Sequence, residues 1–178
     1  MGRRGVMVEK TKAYIAGFLD GDGSIFFQLV FRKGYKLGYQ IRASVVFYQK
    51  TSQSKILRWL KHKLRAGYLR DRNDGISEYT IVGLRQVKTV LEEVEPYLIL
   101  KKRQAKLAIK IATELECLNS FSKSDLIRIA KEVDRFGKLN YSKRRTNTVL
   151  QLRNFLQSNT SVPVSTDLHQ SIRLDVVR

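Results

Sequence analysis

A single cysteine, Cys117, stands in 178 residues, which excludes an intramolecular disulfide framework and a cysteine-built zinc site. Histidine is almost as scarce, with only His62 and His169, so histidine-rich catalytic constellations are unavailable. No apolar run approaches the roughly 18 residues of a transmembrane helix. The opening residues, Met1 to Val8, show no secretory hydrophobic region, and Val6 stands where a myristoylation signal takes Ser or Thr. Acid is the other shortage: 16 Asp+Glu face 34 Lys+Arg, a formal charge of +18. A hydrophobic content of 43% nevertheless allows a real core. These limits describe a soluble protein of a reducing compartment, with no membrane partner and a polyanion as its natural ligand.

The missing acid is unevenly distributed. No acidic residue lies between Asp22 and Asp71, a stretch that carries Arg32, Lys33, Lys36, Arg42, Lys50, Lys55, Arg58, Lys61, Lys63, Arg65 and Arg70. Acid-free blocks also separate Glu95 from Glu114 and span Arg135 to Thr166. Solvated surfaces usually mix signs, so one-signed blocks on a chain with a core indicate a folded surface that tracks phosphates.

Hydrophobic periodicity predicts a helix over 12–20 with Thr11 as N-cap, broken by Gly21-Asp22-Gly23. Period two then takes over. Ile25, Phe27, Leu29 and Phe31 share one face of a strand; Ile41, Ala43, Val45 and Phe47 share one face of its hairpin partner. A helix over 52–66 buries Ile56, Leu57, Leu60 and Leu64, and short strands at 68–72 and 78–82 flank the Asn73-Asp74-Gly75 turn. Further helices are expected from Leu84 to about Pro96, then over 99–116, 124–136 and 146–157. The order α-β-β-α-β-β-α, followed by more helices, predicts an α+β fold with one four-stranded antiparallel sheet. Residues 1–157 form a single domain in this reading, and 158–178 a loosely held C-terminal tail.

Ala16 and Gly17 remove side-chain bulk midway along the first helix, so a second helix backbone can come close. Tyr14, Phe18 and Leu19 supply apolar surface around that contact. If the partner is the same helix of another copy, both bring an Asp22 to one place. Adjacent carboxylates at helix C-termini repel unless cations intervene, and hard ions such as Mg²⁺ prefer such oxygens. The plainer alternative is that Asp20-Gly21-Asp22-Gly23 is only a helix stop and turn.

The segment Ile15-Ala16-Gly17-Phe18-Leu19-Asp20-Gly21-Asp22-Gly23 closely resembles the signature of the LAGLIDADG homing endonucleases. Ala13-Tyr14, Gln49-Lys50-Thr51, Gly67 to Arg72 and Pro96 to Lys102 are similar to segments of the single-motif branch found in algal organelle introns. The resemblance implies a homodimer with the LAGLIDADG endonuclease fold and an organellar origin, in chloroplast or mitochondrion, with a prokaryotic cytoplasm as the other possibility. It also implies Asp22 as catalytic carboxylate and metal ligand, with Gly21 contributing its carbonyl to the ion. Gln49 and Lys101 would join a polar pocket that orders water. Gln53 takes the third pocket position, where some members have a basic residue, and Lys55 lies two residues on. The same resemblance makes Asp20 structural.

The polar strand faces provide the reading surface for duplex DNA: Gln28, Val30, Arg32, Gln40, Arg42 and Ser44 on the long hairpin, Arg70, Arg72, Glu78 and Thr80 on the short one. Arg suits guanine and Gln suits adenine in a major groove. Lys33, Tyr35 and Lys36 extend the footprint at the hairpin connection, while Ser142, Lys143 and Arg144 suit phosphate contacts. The function implied is Mg²⁺-dependent hydrolysis of both strands of a long pseudo-palindromic double-stranded DNA site, leaving 3′ overhangs. An intron RNA maturase and a non-catalytic DNA-binding regulator are the alternatives on this fold.

Overall fold

A computed structural model describes residues 7–118, 120–140 and 147–158. The expected tail, apart from Ser158, and Ser142, Lys143 and Arg144 lie outside the described residues. The chain runs α1 (Glu9–Asp22), β1 (Gly23–Phe31), β2 (Tyr39–Lys50), α2 (Lys55–Leu64), β3 (Tyr68–Asp71), β4 (Ile76–Val82), α3 (Leu84–Val94), α4 (Lys102–Glu116), α5 (Lys123–Leu139) and α6 (Val149–Ser158). Single 3-10 turns, Thr51–Gln53 and Glu95–Tyr97, precede α2 and follow α3. The sheet is antiparallel in the order β1-β2-β4-β3. The α+β architecture read from the sequence is the one observed.

One sheet face forms the core. Ile25, Phe27, Leu29, Ile41, Ala43, Val45, Phe47, Tyr79 and Ile81 are buried there, together with Leu57, Leu60 and Leu64 of α2 and the inner faces of α1, α3, α4 and α5. Phe31, expected in that row, is exposed; its ring instead meets Tyr39 and Phe155 edge-on at the end of the hairpin.

Several helix ends differ from expectation, most clearly in α1 and α5. Helix α1 starts at Glu9 with Val8 as a cap that makes no side-chain bond, so Thr11 lies inside it. It then runs through Gly21 to Asp22, because Ile15, Ala16 and Leu19 anchor its last turns in the core, and tertiary packing outweighs glycine's intrinsic penalty. It stops only at Gly23. A Cβ there would lie 2.5 Å from Leu19 Cδ1 and 2.9 Å from the Leu19 backbone, and β1 begins at that residue with no connecting loop. Helix α5 likewise passes Gly137, which is buried, and ends at Leu139. Ser122 and Asp125 close a reciprocal capping box at its start.

Candidate functional site

The two acids at the end of α1 behave differently. The Asp20 carboxylate accepts backbone N–H groups from Ile99 (2.7 Å), Leu100 (3.1 Å) and Lys101 (2.8 Å). It thereby ties α1 to the segment that leads into α4. Lys101 returns the contact: its Nζ donates to the Asp20 backbone carbonyl at 2.5 Å. The Asp22 carboxylate, two residues on, is exposed, and no hydrogen bond or ion pair among the described residues engages it. Partial burial lowers the Lys101 pKa, and the charges of Asp20 and Asp22 work against that shift. The ammonium is thus held by one acid's backbone, beside the other acid's carboxylate.

The sheet register brings Gln49 to the same end. Gly23 pairs with Phe47, so Gln49 lies two residues beyond the last pair of β1 and β2, next to the end of α1. Its Oε1 accepts the Lys50 N–H at 2.9 Å, which leaves the amide nitrogen to donate elsewhere. Gln53 sits on the exposed 3-10 turn after β2, and Lys55 is equally exposed at the start of α2. Among the described residues no group of three or more His, Cys, Asp or Glu could hold a metal. One chain offers the Asp22 carboxylate and backbone carbonyls at a helix end. That sparse oxygen set fits a magnesium-type ion, which keeps several waters and takes phosphate oxygens from a substrate.

The outer face of the sheet divides into sectors. Gln28 stands across from Arg42 and Val30 across from Gln40, with Arg32, Lys33, Tyr35 and Lys36 exposed at the hairpin end. At the other end Tyr48, Glu78 and Arg70 form one row and Lys50, Ile76 and Arg72 the next. Glu78 meets Arg70 at 3.4 Å and Asp74 meets Arg72 at 2.5 Å, so both arginines must exchange a partner to reach a base. Between the sectors lie Phe26, Ser44, Val46, Thr80 and Val82. Ser44 and Thr80 keep only 8% and 6% of their surface there. This corrects their expected place among the open reading residues: flanking apolar neighbours cover them. Tyr48, whose hydroxyl pKa is raised by burial and by Glu78, belongs to this face and is absent from the residues the sequence singled out. Its only signal is its place in the row.

A second correction concerns α1. Ala16 is fully buried by this chain's own core, so it cannot touch another copy. The open stripe is Lys10, Ala13, Tyr14, Gly17 and Gly21, on successive turns of one helix face. Nothing lies within 4 Å of a Cβ placed on Gly17 or Gly21. Tyr14 is 51% exposed and packs edge-on against Trp59 of α2, whereas Phe18 is half-buried against Phe47. Of the expected pair only Gly17 is open, and the small residues exposed on that face are Ala13, Gly17 and Gly21.

Several known proteins are similar to this chain. The family model for the LAGLIDADG endonuclease matches residues 15–112. The DNA endonuclease I-CvuI of Chlorella vulgaris is 40% identical over 145 residues, which cover 82% of this chain and 89% of that protein. The DNA endonuclease I-CreI of Chlamydomonas reinhardtii is 34% identical over 145 residues, 82% of this chain and 88% of its own. A crystal structure of I-CvuI with the I-CreI target and magnesium, its DNA not cleaved, superposes with a TM-score of 0.81. The sequences are 39% identical in that comparison, which covers 87% of this chain and 98% of the other.

Proposed function

The chain belongs to the LAGLIDADG endonuclease family, and from that membership we propose that it is a homing endonuclease that cuts both strands of a long, pseudo-palindromic DNA target as a homodimer. One observation carries the reading of the site. Two acids two residues apart have separate tasks, since Asp20 is engaged by three backbone N–H groups while Asp22 is open beside Lys101.

The polar sectors of the sheet seat the duplex. Packing of two copies along Ala13, Gly17 and Gly21 brings two Asp22 carboxylates to the centre, one for each strand. Asp22, with the Gly21 carbonyl, would hold a divalent cation, read here as magnesium. Such an ion supplies activation of water and charge stabilisation at the leaving oxygen. Lys101 adds a fixed positive charge next to the scissile phosphate, which favours the negative charge that develops there. Gln49 and Gln53 cannot take a proton at neutral pH, so their task is to order water by hydrogen bonds. Kinship with two algal enzymes supports an organellar setting.

Selection of cleaved sites from a randomised DNA library in Mg²⁺ tests this. Recovery of a long pseudo-palindrome cut to leave 3′ overhangs is expected. Recovery of a short or asymmetric site, or of none, would remove the homodimeric endonuclease reading.

A further inference from the structure

Helix α2 differs from the rest of the helical layer in its charges. Acids elsewhere in the helical layer engage part of its cations, as Lys88 meets Glu116 at 2.7 Å, Arg135 meets Glu132 at 2.9 Å, and Lys106 and Lys110 lie 3.8 and 4.0 Å from Glu95 and Glu132, whereas α2 carries no acid of its own. Lys55, Arg58, Lys61, His62, Lys63 and Arg65 are all exposed, and among the described residues none is paired with an acid. Arg58 donates only to Ser54 Oγ, and Lys63 lies 5.8 Å from the Trp59 ring centre.

The plain explanation is that cations favour a helix C-terminus. That accounts for Lys61 and Lys63 but not for Lys55 and Arg58, which lie in the N-terminal half, where the helix dipole disfavours them. Arg65 points further. It caps α2 in the left-handed conformation (φ 50, ψ 36), and it is the one non-glycine described residue with positive φ. Glycine is the ordinary occupant of that position, so a long cationic side chain there costs backbone strain.

Arg58, Lys61 and Arg65 follow the spacing i, i+3, i+7 and form one stripe. The stripe lies on the flank opposite Ile56 and Trp59, and Trp59 is where α1's Tyr14 packs. It thus faces away from the open seam of α1. Leu57, Leu60 and Leu64 place α2 on the helix-covered side of the sheet, so the stripe belongs to the helical layer and not to the polar sectors of the sheet. A duplex on the sheet and a duplex on the stripe would therefore occupy different faces. Seven residues of helix rise about 10 Å, over which one DNA strand carries about three phosphates.

We propose that the exposed flank of α2 formed by Arg58, Lys61 and Arg65 binds the phosphate backbone of a second DNA duplex while the first occupies the sheet. The proposal rests on the assignment of the sheet as the target-binding face. It gives the enzyme a sequence-independent hold on a neighbouring DNA segment, and so a direct route between segments during target search.

The test uses the full chain, saturated with unlabelled target duplex in the absence of divalent ions. A fluorescent duplex of unrelated sequence is then added, and its anisotropy is followed at several salt concentrations. The parent is expected to capture the second duplex. The variant Arg58→Gln/Lys61→Gln/Arg65→Gly should bind it at least ten-fold more weakly, with a log–log salt slope shallower by up to about three. Its cleavage of a short target in Mg²⁺ and its thermal midpoint should match the parent's, because Arg65→Gly relieves strain. Failure of the parent to capture the second duplex, or equal capture by the variant, overturns the proposal. So does an RNA hairpin that competes for the site more than ten-fold better than DNA. Target cleavage scored on the same samples separates the cases: if cleavage persists without second-duplex capture, only the α2 proposal falls, whereas loss of target binding by the parent takes both readings down.

Discussion

Asp20 and Asp22 are the same amino acid in nearly the same place, and their surroundings make opposite demands on them. Asparagine at position 20 would turn an amide NH₂ toward backbone donors that now converge on the carboxylate. Asp20→Asn should therefore cost about 2 kcal/mol or more, read as a lower thermal midpoint. Asp22→Asn should leave stability within about 0.5 kcal/mol of the parent and abolish cleavage while DNA binding persists. Mg²⁺-dependent cutting at the parent's rate by Asp22→Asn would remove Asp22 from the site. Lys101 supplies a pH signature. Its folded-state pKa lies below the ordinary 10.5, so between the two values the unfolded chain binds more protons and stability rises with pH. Over the same window the ammonium is lost from the site, so cleavage should decline below the pH at which a free lysine titrates. Lys101→Arg should move that decline to higher pH, and a profile indifferent to the substitution would show that Lys101 takes no part. The tasks proposed for these residues come from the resemblance; the partners of Asp20 were not legible, because Ile99 to Lys101 are distant in sequence and contribute backbone N–H groups, which no side-chain pattern reveals.

Elements were more legible where period and turn chemistry agreed. The Asp74-Gly75 turn places Gly75 at positive φ, and β3 and β4 fall where the alternation predicts. Helix ends were less so, since the buried anchors Ile15 and Leu19 carry α1 across Gly21 against local preference. Short strand β3 illustrates how close approach outranks sequence pattern. Gly67 has φ of +73, and a Cβ on it would lie 2.2 Å from the Thr80 carbonyl. The Tyr79 hydroxyl donates to the neighbouring Ala66 carbonyl at 2.6 Å, and burial pushes its pKa up. Gly67→Ala should destabilise by at least about 2 kcal/mol, lowering the calorimetric midpoint by roughly 4 °C or more. A change under about 1 °C would mean that β3 does not depend on this contact.

For the whole molecule, the sequence predicted a sheet with one polar face but not which residues on it are covered. That depends on cross-strand rows such as Phe26–Ser44–Val82, which only the register defines. Of the residues expected at the interface, Tyr14 and Gly17 are open and Ala16 faces inward, because α1 packs with that side toward the core. The corrected stripe leads to its own test. Gly17→Leu adds a branched side chain where open space now lies, leaving the fold intact and blocking close helix approach. Sedimentation should show a monomer, and double-strand cutting should fall far more than binding of a half-site. A Gly17→Leu protein that still sediments as a dimer would place the symmetry axis elsewhere.

The absence of any spacer between α1 and β1 has a consequence for redesign. Asp22 is followed at once by the first residue of the strand that carries Gln28, so the proposed catalytic and recognition residues share one rigid ruler. Six residues of strand fix about 20 Å between them. Substitutions at Gln28 or Arg42 that change which bases are preferred should leave the interval between recognised bases and cut unaltered. Sequencing the ends produced by such variants checks this: the letters read will differ, and the distance to the break will not.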